Sequence, residues 1–159
     1  MQLKVDRTAL SKKFFELSRT YHPDFFTNES DEKQAEVLEK SAILNKAWKT
    51  FQSSDATIKY VLMEKKLLEE EEKYELPPAF LMEVMDINEL LMDTDDAEAT
   101  KNIQQTIDNL QAEIYEPVVK TVEEYKEGVT TEAELLQVKD YYYKKKYLDR
   151  IRQQLAGMA

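Results

Sequence analysis

The chain has 159 residues, with two glycines, four prolines, no cysteine, one histidine and a net charge of −10 from 32 acidic and 22 basic side chains. That length holds one ordinary domain or two small helical ones, and so few turn residues exclude an all-β sandwich or barrel. Without cysteine there is no thiolate zinc or iron–sulfur ligation, no disulfide and no cysteine nucleophile; one histidine excludes paired-His metal motifs, and glycines at 128 and 157 alone exclude phosphate-cradling loops. The negative charge opposes nucleic acid and anionic membranes, and no window nears eighteen apolar residues. The expectation is a soluble, cytoplasmic, all-α protein with no metal, cofactor or catalytic apparatus of its own.

A first helix is expected over 6–22, capped by Asp6, or by Thr8 if it starts later. Leu10, Phe14, Leu17 and Tyr21 recur at helical spacing along one stripe, and Pro23 ends the helix just after His22. Lys12 and Arg19 point away from the stripe and give an otherwise acidic protein one basic face. Phe25 to Asn28 form a loop. Ser30 or Asp31 then opens a helix over 31–52, with Val37, Leu44, Trp48 and Phe51 on one face, so the two helices make an antiparallel hairpin. A short helix over 56–68, through Ile58, Val61 and Leu62, fades into Glu69 to Glu72. This run marks the boundary and starts an acidic, solvated linker over 69–76.

Pro77 and Pro78 suit the opening of a helix running from Ala79 to Met92, since proline in a first turn forfeits no intrahelical hydrogen bond. Thr94 or Asp95 caps the next, with Ile103, Ile107, Leu110 and Ile114. Pro117 kinks it before Val118, Val122 and Tyr125. After a turn at Gly128, Thr130 and Thr131, a last helix carries Leu136, Tyr143, Tyr147, Leu148, Ile151 and Leu155. Residues 77–157 thus read as a three-helix bundle.

Two features exceed what folding needs. Tyr21-His22-Pro23-Asp24 places the only histidine at a helix end, where a histidine serves either as a cap favoured by the macrodipole or as a functional group. Proline presets the backbone between two polar side chains, which favours recognition at small entropic cost and should keep His22 and Asp24 from the close contact an acid–base pair requires. In the helix from Ala79, Phe80, Val84, Ile87 and Leu91 suffice as a core face. Leu81, Met85 and Met92 form a second apolar arc about 100° away, with Met82 beside it and Asp86 and Glu89 on its polar border. Such methionines either fill irregular core gaps or form a partner surface.

The His-Pro-Asp loop, together with Arg19, Tyr21 and Ile43 to Phe51 on the second helix, resembles a J-domain. The segments Pro78 to Glu83 and Lys146 to Arg150 resemble the corresponding helices of HscB-type J-proteins, so the likeness spans nearly the whole chain. The resemblance implies an L-shaped all-α co-chaperone with a J-domain over 1–68 and a scaffold-binding bundle over 77–157. It would stimulate the ATPase of a DnaK- or HscA-class chaperone and deliver to it the IscU-type scaffold of iron–sulfur cluster assembly, acting as a bacterial, cytoplasmic monomer. It further implies that His22, Pro23 and Asp24 are the trigger, Lys12 and Arg19 the steering charges, and Leu81, Met82, Met85, Asp86, Glu89 and Tyr147 the scaffold-binding residues. The short helix that usually opens a J-domain has no counterpart in the sequence, Phe25 stands where the family usually has lysine, and the paired C-x-x-C motifs of the eukaryotic branch are absent. The competing reading is a helical interaction adaptor in which the tripeptide is incidental.

The remaining charge runs carry less. Twelve acidic residues face Lys73 alone between positions 69 and 98, which reads as solvated surface. Asp93, Asp95 and Asp96 lack EF-hand spacing, and Lys144 to Lys146 read as a helix exterior.

Overall fold

The computed structural model describes residues 1–93 and 96–158 and contains seven α-helices with no strand among them. They are α1 (Arg7–Thr20), α2 (Asp31–Gln52), α3 (Ser54–Glu64), α4 (Pro78–Met92), α5 (Ala97–Tyr115), α6 (Val119–Glu123) and α7 (Glu132–Met158). Two compact units result: residues 2–61, and residues 62–159 together with Met1.

In the first unit, the Asp6 carboxylate accepts from the Thr8 and Ala9 amides at 2.9 and 3.1 Å, and the Ser30 hydroxyl accepts from Lys33 at 3.3 Å. Each cap satisfies amides that a helix start leaves without intrahelical partners. The helices run antiparallel: Arg7 donates to the Gln52 carbonyl, Phe14 stacks on Trp48 at 4.4 Å, and the Lys40 ammonium lies 5.1 Å from the Tyr21 ring centre. The hairpin core is thin. No residue of α1 is buried, and Val37 alone is buried on α2.

In the second unit, Phe80, Val84, Ile87 and Leu91 of α4 meet Ile103, Ile107 and Leu110 of α5 and Leu148, Ile151 and Leu155 of α7. The expected caps Thr94 and Asp95 lie outside the described residues; Asp96 caps α5, accepting from Ala99 at 2.7 Å. Pro117 interrupts the second bundle helix with a single 3-10 turn, Glu116–Val118, before α6. Thr131 and Glu134 exchange hydrogen bonds at the start of α7, a reciprocal capping box.

The expectations for α7 and the linker need correction. Leu136 is 44 % exposed, whereas Leu135, Val138, Tyr141 and Tyr142 are buried. The helix packs against α4, α5, α6 and the Pro117 turn, and over its 27 residues the buried side chains pass from Leu135, Val138, Tyr141 and Tyr142 to Leu148, Ile151 and Leu155, so its buried face drifts instead of following one stripe. The expected short helix 56–68 is α3, ending at Glu64. The acidic run is not a free linker either. Glu72 accepts from Lys139 at 2.6 Å, Tyr74 stacks on Tyr143 at 4.5 Å, and the Tyr74 hydroxyl donates to Asp140 at 2.8 Å. Nor are Lys144 and Lys145 mere exterior: they pair with Asp140 and Asp149 at 2.6 and 2.9 Å.

This packed strap, residues 69–76, should make stability sensitive to alkali. Burial first, then the Glu72 charge, pushes the Tyr143 hydroxyl up to about 12, and burial with the Asp140 hydrogen bond raises Tyr74 further. A raised phenol keeps its proton in the folded state after the unfolded chain has lost it at about pH 10. Stability should therefore be full below about pH 10 and fall as pH rises toward 12. Urea melts at stepped pH should show that decline, and Tyr143→Phe should make it shallower.

Candidate functional site

The loop at residues 21–26 is built by two helical ends. Tyr21 closes α1, its amide donating to the Leu17 carbonyl at 3.0 Å, and His22 then turns extended, with φ −75° and ψ 126°. Pro23 opens a 3-10 turn, Pro23–Phe26, in which its missing N–H costs nothing. The Phe25 amide closes the turn on the His22 carbonyl at 3.1 Å, and the Gln34 side chain braces the far side by donating to the carbonyls of Thr27 and Glu29.

His22 caps that turn. Its Nδ1 accepts from the Asp24 amide at 3.3 Å, so the neutral ring carries its proton on Nε2, the nitrogen left for a partner. The two side chains also come nearer than expected across the proline, with Nδ1 3.7 Å from an Asp24 carboxylate oxygen. The 3-10 turn folds position 24 back toward position 22, which corrects the expectation of separation. An acid–base pair still does not follow: Nδ1 already serves as an acceptor, and the side chains are 50 % and 85 % exposed. Lys12 and Arg19 are exposed on α1.

On α4 of the second unit, the residues divide by face. Phe80, Val84, Ile87 and Leu91 are at most 6 % exposed, while Leu81, Met82, Met85 and Met92 run from 38 % to 87 %. Asp86 and Glu89 are exposed beside them. Tyr147 differs: it is half-buried, set edge-on to Phe80 at 6.5 Å and covered by the Arg150 guanidinium at 5.8 Å. It joins the core through Phe80 and is less open than the methionines. A groove of about 680 Å³ opens nearby, lined in part by Phe80, Glu83, Glu113, Ile114, Leu136 and Lys144, and contains none of the expected site residues. Outside the expected site residues, Phe25 is 73 % exposed, and Phe15, Leu38 and Ile43 of the first unit and Leu90 of α4 are exposed as well.

An all-α protein with an exposed, preset His-Pro-Asp turn in one unit and an uncovered apolar helix face in the other has the make-up of a co-chaperone. Residues 76–156 match the family model described as the HSCB C-terminal oligomerisation domain, and the chain belongs to the HscB family of co-chaperones. It is 29 % identical over 134 residues to a co-chaperone protein HscB homolog of Vibrio parahaemolyticus, covering 83 % of this chain and 78 % of that one. To the iron–sulfur cluster co-chaperone protein HscB of Mus musculus it is 30 % identical over 122 residues, covering 76 % of this chain and 52 % of that protein. The crystal structure of human co-chaperone protein HscB superposes with a TM-score of 0.77 at 26 % identity, over 98 % of this chain and 75 % of that one. Among the described residues, no helix is long and apolar enough to cross a membrane.

Proposed function

We propose that this chain stimulates ATP hydrolysis by a DnaK- or HscA-class chaperone and carries to it the IscU-type scaffold of cytoplasmic iron–sulfur cluster assembly. The observation that carries the reading is the His22 turn: a donor on Nε2 and a carboxylate at Asp24, both exposed on a turn whose backbone is closed by hydrogen bonds rather than held by burial. A surface preorganised in this way loses little entropy on docking. Residues 1–68 then act as the J-domain, with Lys12 and Arg19 steering the approach. Residues 77–157 carry the cargo on Leu81, Met82, Met85, Asp86 and Glu89, with Tyr147 at the edge. The mouse relative's description as an iron–sulfur cluster co-chaperone supports that pathway.

The test is single-turnover ATP hydrolysis by the chaperone with the full chain and the scaffold present. Stimulation that rises further when scaffold is added supports both halves of the proposal, and a rate equal to that of the chaperone alone removes them. Reversing Lys12 and Arg19 to Glu should slow association by on the order of tenfold at low salt and flatten its salt dependence, since steering charges act on the encounter. Stopped-flow mixing at two ionic strengths reads this directly, and an unchanged on-rate at low salt removes the steering role.

A further inference from the structure

We propose that Phe25 is an apolar anchor for the ATPase chaperone, an inference that rests on the docking role proposed for the His22 turn. Its side chain is 73 % exposed, although the neighbouring Phe26 is half-buried. A single exposed apolar side chain is ordinary on a protein surface. This one is contiguous with the two polar groups offered to the partner: its ring lies edge-on to His22, with centroids 5.8 Å apart at 64°, and its amide is bonded to the His22 carbonyl at 3.1 Å.

The turn thus brings three elements together: the His22 Nε2 donor, the Asp24 carboxylate and an uncovered aromatic ring. A partner close enough to accept from Nε2 meets the Phe25 ring as well, and burying it releases water from apolar surface. Because the backbone is closed on both sides of the loop, the ring needs little further ordering, the condition under which an aromatic becomes a hot spot. The partner surface therefore has to combine a hydrogen-bond acceptor with an adjoining apolar patch. The basic charges of α1 add a salt-sensitive component, whereas Phe25 adds one that salt does not screen.

The experiment is binding of the full chain to the DnaK-class chaperone of the same organism, measured at about 0.1 M and 0.5 M salt for wild type, Phe25→Ala, Phe25→Leu and His22→Gln. Phe25→Ala should weaken binding roughly tenfold at both salts, and Phe25→Leu less than about threefold, with helicity unchanged. Phe25→Ala binding like wild type while His22→Gln fails to bind would overturn the anchor and leave the docking turn standing. His22→Gln and Phe25→Ala both binding like wild type would overturn the docking role, and the anchor with it.

Discussion

His22→Gln should reduce the chaperone's ATP hydrolysis to its unstimulated rate while leaving helicity and thermal stability nearly unchanged. The ring is half-exposed and, among the described residues, lies in no core cluster and makes one hydrogen bond, as acceptor from the Asp24 amide. Replacing it leaves no cavity and strands no buried charge, the usual sources of large destabilisation. What changes is the presented chemistry. Imidazole uses one nitrogen to hold the turn and keeps the other as a donor at a fixed angle, whereas a glutamine amide on a flexible stem does not reproduce both at once. The proline cannot compensate, because it presets the backbone and supplies no donor. Single-turnover hydrolysis gives the functional result, with circular dichroism and a thermal melt of the same sample as the control. Stimulation surviving with the fold intact would remove the turn from the mechanism and leave the tripeptide incidental.

The sequence made α4 and the loop readable and much of α7 unreadable, for physical reasons. Along α4, one period of 3.6 holds throughout because the helix meets the same neighbours over its length, so Phe80, Val84, Ile87 and Leu91 stand out as inward and the methionines as surplus. Along α7 the neighbours change, and the leucine pair at 135–136 and the tyrosine triplet at 141–143 leave two registers open; Leu135 is the inward leucine and Leu136 the outward one. The strap was hidden for another reason. A run of four glutamates reads as solvated by charge density alone, and only tertiary packing brings Lys139 and Tyr143 beside Glu72. The close approach of His22 and Asp24 depends on the turn type, since the 3-10 geometry, not the tripeptide composition, brings the two side chains together.

Leu81, Met82 and Met85, each truncated to alanine, should cost on the order of 1–2 kcal/mol of affinity for the scaffold, and the triple change considerably more. Folding stability should barely fall. These side chains are 38 %, 68 % and 60 % exposed, so shortening them opens no void. Ile87 on the same helix is 2 % exposed among ten buried residues of the bundle core, and Ile87→Ala should lose ~2–5 kcal/mol of folding free energy through the cavity it leaves. Tyr147→Ala is expected to fall between these classes, because the ring both borders the proposed cargo face and packs on Phe80, so some affinity and some stability should go together. Calorimetry against the scaffold, paired with urea melts of the same variants, separates the two quantities. Leu81→Ala and Met85→Ala destabilising the fold as much as Ile87→Ala would make the second face part of the core. Both variants binding the scaffold like wild type at full stability would remove the cargo role from the exposed face.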